Sequence, residues 1–316
     1  MYYCLKKECK LCRAKDFYEI YDFLSKLYQN LNSSILTLDL PKTLALDKFE
    51  NNISQGTDIF IFHSAMKQSN AINFKDVLID LSNFDYNEIL RLNIKNLLQS
   101  KKINRVFLFS NTENEFIKED RVTYIKVNID EKKLMFERVL CMYSFIHSKL
   151  FQNNICFLDS DAFLNPNKLD IFNYDFNIAL THRSTLGFMP VNEGVIFVKN
   201  VNKHQILNFF EKYLKIFLAI GSSQEVLNYY KKDVFQWRGG QLSLNLAIFK
   251  DEMQYLDFET KIIDNLKILF LPVFNFNFSI HPEAIYSNNY LKNKAVLHFK
   301  GDLKRDKINY IRELFN

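Results

Sequence analysis

The sequence predicts an α/β layer fold with a substantially parallel sheet. Three observations carry that expectation. Short apolar runs of strand length recur along the chain, such as 58–63 (DIFIFH), 105–109 (RVFLF) and 155–158 (ICFL). Longer stretches with apolar residues at helical spacing lie between them, and strands alternating with helices build parallel sheets. The composition agrees. The 316 residues are 48% hydrophobic and 24% charged, with only 7 Gly and 5 Pro, which excludes disordered, collagen-like and low-complexity chains.

The elements follow in order. Residues 15–30 read as an amphipathic helix through Phe17, Ile20, Tyr21, Phe23, Leu24 and Leu27. The strand 58–63 comes next, then a helix over 85–99 carried by Ile89, Leu90, Leu92, Ile94 and Leu97. Strands at 105–109 and 122–127 precede a long helix over 131–150. The strand 155–158 runs straight into Asp159-Ser160-Asp161. Beyond it lie short strands at 177–180 and 194–198, helices at 203–218 and 240–249, and late strands at 266–271 and 295–299. A basic tail, 304–316, ends the sequence. No linker or repeat divides it, so the expectation is one catalytic domain over 1–316, with 1–57 as an N-terminal extension.

Lys+Arg 41 against Asp+Glu 36 gives a net charge of +5. That suits an anionic small molecule or an anionic membrane surface, and is too little for a dedicated nucleic-acid binder. The start, MYYCLKKECK, has no apolar core of signal-peptide length. No apolar run approaches the roughly 18 residues of a membrane span. The expected location is cytoplasmic, with peripheral contact at the inner face of the cytoplasmic membrane. Of the 5 Cys, Cys141 and Cys156 read as buried free thiols. Cys4, Cys9 and Cys12 hint at metal but lack the fourth ligand of a structural zinc site, so reduced thiols are expected there.

Ligands of parallel sheets bind at the carboxyl ends of strands, which singles out Asp159 and Asp161. Two carboxylates on one side of the chain repel unless a cation sits between them, and hard oxygens suit Mg²⁺ or Mn²⁺. A divalent ion so held can neutralise a diphosphate leaving group. His298 ends a late strand, and an imidazole in the shell favours Mn²⁺ over Mg²⁺. Gly301 allows close approach of a phosphate, and Lys304 supplies a point charge. Asn192 and Glu193 offer groups suited to sugar hydroxyls ahead of the 194–198 strand. Trp237, the only Trp, stands beside Gly239 and Gly240 and offers a face for a sugar ring. Each feature also has an ordinary structural explanation as turn, core or solvated loop.

Four segments taken together, ICFLDSDAFLNP, PVNEGVIFVKN, WRGGQLSLNLA and LHFKGDLK, resemble in that order the nucleotide-sugar glycosyltransferases of the GT-A fold. They are most similar to the family 8-like group related to glycogenin and bacterial lipopolysaccharide galactosyltransferases. The resemblance spans roughly 105–304 and implies a Rossmann-like mixed, mostly parallel sheet flanked by helices. It implies Asp159, Asp161 and His298 as metal ligands, and Gly301 and Lys304 as diphosphate contacts. Arg138 would lie near the donor sugar or diphosphate, and Asn192 and Glu193 would line the sugar pocket. Gln241 would lie below the anomeric carbon. Transfer with retention and a uridine donor are implied by family habit, with Glu193 the available base should the enzyme invert. The acceptor would be a glycan or a lipid-linked glycan, as in bacterial polysaccharide or lipooligosaccharide synthesis. Gly240 is a departure, because the family usually has Asp there. Two other readings remain open: a haloacid dehalogenase-like phosphatase with Asp159 as nucleophile, and a nucleotide-sugar binder whose catalysis has decayed.

Overall fold

The computed structural model describes residues 22–23, 25–31, 38–50, 53, 56–64, 72–74, 77–79, 86–112, 119–183, 190–226, 235, 239–248, 255–280, 286–299 and 312–314. The Cys4–Cys9–Cys12 cluster, Trp237, Gly301, Lys304, the N-terminal part of the first expected helix and most of the basic tail lie outside them.

The strands in chain order are β1 (Thr57–His63), β2 (Ile72–Phe74), β3 (Val77–Ile79), β4 (Ile103–Ser110), β5 (Val122–Lys126), β6 (Ile155–Asp159) and β7 (Ala162–Leu164). They continue as β8 (Ile178–His182), β9 (Val191–Val198), β10 (Thr260–Ile263), β11 (Leu266–Pro272), β12 (Phe278–Ser279) and β13 (Val296–His298). Among the described residues, the helices that pack on the sheet around the site are α1 (Tyr86–Leu98), α2 (Leu134–His147), α3 (Lys203–Gly221) and α4 (Gly239–Ile248). Eight strands form one mixed, mostly parallel sheet in the order β10-β11-β8-β9-β6-β1-β4-β5. β9 runs antiparallel to both its neighbours, and β10 is antiparallel to β11. The other pairings are parallel. The carboxyl ends of β1, β4, β5, β6, β8 and β11 therefore share one edge of the sheet, called the upper end below.

Helices cover both faces, which is why the central strands read as unbroken apolar runs. The faces differ in residue type. Phe60, Phe107, Phe109 and Phe157 project to one side and meet Phe145 of α2, with Phe60 and Phe109 centroids 4.6 Å apart and Phe107 and Phe145 4.9 Å apart. Ile59, Ile61, Val106, Leu108 and Leu158 project to the other and pack on Leu90, Ile94 and Leu97 of α1. Much of the chain's Phe excess is thus spent on one inter-layer seam. Helix α2 is buried from Phe136 and from Arg138 through Ile146, because it is clasped between the sheet and α3. Cys141 and Cys156 are free and buried, and burial pushes both thiols well above their usual range.

The structure refines several sequence expectations. The 131–150 helix is a short 3₁₀ turn (Glu131–Lys133), capped by the Asp130 side chain, followed by α2. The strand expected at 194–198 begins at Val191, so Asn192-Glu193-Gly194 lies inside β9 rather than ahead of it. The small sheet β12-β13-β7 carries no long apolar run, and two of its members, β7 and β12, were not anticipated. Among the described residues no helix is long and apolar enough to cross a membrane.

Candidate active site

The upper end of the sheet is built around the turn between β6 and β7. Asp159 closes β6, and Asp161 precedes β7. The turn is clamped from two sides. β13 pairs antiparallel with β7, and the Phe299 amide donates to the Asp161 carbonyl at 3.0 Å. From α1, the Asn93 side-chain amide donates to the carbonyls of Ser160 (3.1 Å) and Ala162 (2.9 Å). The pairing of β13 with β7 sets His298 opposite Ala162, which carries the imidazole to the two carboxylates across 137 residues of sequence. His298 Nε2 lies 3.1 Å from Asp161 Oδ1 and 3.6 Å from Asp159 Oδ2. One ligand atom from each of the three residues falls within 4.8 Å of the others. Asp161 and His298 are buried, while the Asp159 side chain is 30% exposed.

Behind the carboxylates stands a buried charge network. Arg138 Nη2 lies 3.1 Å from Asp159 Oδ1 and donates to the Glu193 carbonyl at 2.9 Å. Its Nη1 lies 3.4 Å from Glu193 Oε2, which also accepts from the Tyr213 hydroxyl at 2.8 Å. Burial works against the Arg138 charge, but Asp159 and Glu193 outweigh it and hold the guanidinium above its usual value. Burial raises the Glu193 carboxyl above its ordinary range, against the opposing pull of Arg138, the Tyr213 hydroxyl and the Gln241 backbone N–H. Burial, then Glu193, pushes the Tyr213 phenol well up. Glu193 thus sits at the amino-terminal end of α4, where backbone N–H groups favour a carboxylate.

That placement explains Gly240. A Cβ built on Gly240 would stand 2.0 Å from Glu193 Oε2. The carboxylate of Glu193 occupies the space that a side chain at 240 would need. A Cβ on Gly194 would stand 2.5 Å from Asp159 Oδ2 and 2.7 Å from His298 Cε1, so glycine there lets the backbone of β9 pass against the carboxylate–imidazole cluster. β9 is irregular at this point. Its pairing with β8 shifts register between Leu180 and Thr181, from Leu180↔Ile196 to Thr181↔Asn192, so Glu193, Gly194 and Val195 have no partner in β8 while Val195 stays paired with Leu158 of β6.

A second set of buried groups lies on the far side of His298. His298 Nδ1 is 2.7 Å from Asn277 Oδ1. The Asn277 amide donates to Asn192 Oδ1 at 2.6 Å and to Thr181 Oγ1 at 3.1 Å. Asn192 in turn donates to Gln241 Oε1 at 3.1 Å. The structure therefore brings Asp159, Asp161, His298, Arg138, Asn192, Glu193 and Gln241 into one connected cluster. Trp237, Gly301 and Lys304 fall outside the described residues. Asn277, Asn93 and Tyr213 were missed from sequence, where a lone amide or phenol carries no signal.

The cluster fits a divalent ion. His298 Nδ1 is taken by Asn277, so only Nε2 faces the two carboxylates, and the set is two hard oxygens plus one imidazole nitrogen. No protein-family model matches the sequence, and no curated protein matches it. Among solved structures, the chain is similar to the glycosyltransferase GlyE of Streptococcus pneumoniae TIGR4, with 13% identity and a TM-score of 0.46 over 79% of this chain and 55% of that one. It is similar to the bifunctional glycosyltransferase WbbM, at 11% identity and a TM-score of 0.46 over 83% of this chain and 48% of that one. It is also similar to the galactosyltransferase LgtC in complex with donor and acceptor sugar analogues, at 13% identity and 0.42 over 82% of this chain and 95% of that one. The chain spans about half the length of GlyE and WbbM.

Proposed function

We propose that this protein is a metal-dependent glycosyltransferase that moves a sugar from a nucleoside diphosphate donor to a glycan acceptor. The observation that carries the reading is the Asp159–Asp161–His298 cluster at the carboxyl ends of the sheet strands. Asp159, Asp161 and His298 would hold the ion, with Mn²⁺ favoured over Mg²⁺ by the imidazole. When bound, it would supply positive charge against the departing diphosphate.

The chain's own groups do the rest. Arg138 fixes the Asp159 carboxylate and is itself fixed by Glu193. Asn192 and Gln241, joined to the cluster through Asn277, would line the donor-sugar pocket. In the transfer, the bond from the anomeric carbon to the diphosphate oxygen breaks and a bond to the acceptor oxygen forms. The acceptor proton leaves with the diphosphate, so a retaining reaction requires no separate strong base. Glu193, enclosed by Arg138, Tyr213 and the start of α4, is better placed to hold those groups than to meet an acceptor hydroxyl. Lys304 and Gly301 would contact the diphosphate, and Trp237 a sugar face, on the strength of the sequence resemblance. A UDP-sugar donor and a role in bacterial surface polysaccharide or lipooligosaccharide synthesis, at the inner face of the membrane, complete the proposal.

The test is thermal stability against a panel of nucleoside diphosphates and nucleotide sugars, with and without Mn²⁺. A ligand at about 100 times its dissociation constant adds about 2.7 kcal/mol, a midpoint shift of a few degrees. A shift specific to one base, dependent on Mn²⁺ and lost in Asp161→Asn, is the expected result. No shift with any nucleotide would overturn the reading.

A further inference from the structure

One backbone group settles the polarity of the buried amide chain. The Gly194 N–H, which can only donate, points at Asn192 Oδ1 from 3.0 Å. The other end of the Asn192 side chain is therefore its NH₂, and it faces Gln241 Oε1. Asn277 meets the same Asn192 oxygen, so Asn277 must present its own NH₂ there, with Thr181 Oγ1 as a second acceptor. That leaves Asn277 Oδ1 facing His298 Nδ1, and an oxygen acceptor requires Nδ1 to carry the proton. Neutral His298 then has only a lone pair on Nε2, aimed at Asp161 and Asp159. Every hydrogen bond in the series runs the same way, from His298 to Asn277 to Asn192 to Gln241.

From this geometry we infer that Asn277 is a positioning residue that locks His298 in the Nδ1–H tautomer and thereby keeps Nε2 available as a ligand atom. Through the same amide it orients Asn192 and the side chain of Gln241. The inference rests on the metal-dependent reading for its purpose, and on hydrogen-bond polarity for its content. Partners of this kind fix ring orientation and tautomer in metal-ligating histidines, and their loss weakens metal binding by about 10–100-fold. Asn277 is fully buried, so His298 Nδ1 takes its partner from the protein and not from bulk solvent.

The tautomer is read directly by two-bond ¹H–¹⁵N correlation on metal-free protein labelled at histidine. The signal is assigned by its absence in His298→Gln, and the pH is raised until the spectrum itself shows a neutral ring. The expected wild-type result is Nδ1–H. Asn277→Ala should release the ring to Nε2–H, bonded to Asp161, and weaken Mn²⁺ binding, followed by electron paramagnetic resonance, by about 10–100-fold. Asn277→Asp keeps an acceptor for Nδ1–H but cannot donate to Asn192. It should retain the tautomer and most of the Mn²⁺ affinity while kcat falls. An Nε2–H tautomer in the wild type would overturn the inference, and needs no variant to detect. Unchanged tautomer and Mn²⁺ affinity in Asn277→Ala would also overturn it. A wild-type Nδ1–H ring that shifts in Asn277→Ala, in a protein that binds no Mn²⁺ with any nucleotide, would sink the metal reading and leave the positioning role standing.

Discussion

Asp58 is the second residue of β1, at the lower end of the sheet, and Asp159 and Asp161 stand at the upper end. Asp58 and Asp161 are both buried. Their surroundings are opposite. Each oxygen of Asp58 receives an amide donor, Asn104 Nδ2 on Oδ1 at 2.7 Å and Asn153 Nδ2 on Oδ2 at 3.1 Å. These donors tie the start of β1 to β4 and to the segment before β6. At the upper end, Asp159 and Asp161 face each other and the Nε2 of His298. A buried carboxylate wrapped in neutral donors is a structural clasp. Two carboxylates and an imidazole nitrogen, with a single guanidinium on Asp159, form a donor set suited to a metal cation.

The sharpest break of this comparison exchanges the two consequences. Asp161→Asn should remove transferase activity by more than about 100-fold, a loss of more than about 2.7 kcal/mol of transition-state stabilisation, with the denaturation midpoint held or slightly raised. Asp58→Asn should do the reverse. Its new NH₂ meets a donor amide, so stability falls by about 1–3 kcal/mol while Mn²⁺-dependent nucleotide binding stays within a few-fold. Urea denaturation beside an activity assay reads both.

The next effect in size concerns the carboxylate at the start of α4. Gly240→Asp drives a second acid into the space of Glu193 and should cost about 3 kcal/mol or more. Combining it with Glu193→Gly should recover a substantial part of that loss, because the two positions share one space. A double-mutant cycle showing simple additivity would contradict the packing argument. Gly194→Ala is milder. Its methyl would press on Asp159 and His298, and should weaken Mn²⁺ binding by about 10–100-fold with about 1–3 kcal/mol of destabilisation.

The smallest effect is one of pH. Burial holds the folded Glu193 carboxyl above its ordinary value of about 4.5, so the folded state binds this proton more tightly than the unfolded chain does. Its contribution is fully present below about 4.5 and declines as pH rises through the raised folded value. The stability of wild type relative to Glu193→Gln should therefore increase as pH falls from 7, and level off below the unfolded value. Denaturant titrations of both proteins across that range give the sign.

The upper end was partly legible in the sequence. Asp159 and Asp161 follow an apolar strand, and His298 ends another, so strand-end chemistry pointed at all three. The β9 segment was harder. Asn192-Glu193-Gly194 has turn-like composition, and the structure keeps it in the strand, with Asn192 paired to Thr181 and Glu193-Gly194 bulged out of the β8 pairing. Arg138 came only from resemblance, since an arginine in an amphipathic pattern reads as a solvent contact until α2 is found enclosed. Asn277 and Asn93 gave no signal, because their importance lies in which oxygen or nitrogen they turn toward. Gly240 was read as a missing carboxylate, whereas the structure shows a neighbouring carboxylate filling its space.

The most direct test of the central claim is a Mn²⁺ titration followed by electron paramagnetic resonance, in the presence of UDP, on wild type, Asp161→Asn and Asp58→Asn. The account predicts one tight Mn²⁺ site in wild type and Asp58→Asn, and its loss in Asp161→Asn. Equal Mn²⁺ binding by wild type and Asp161→Asn, or none by a well-folded wild type with any nucleoside diphosphate, would contradict it.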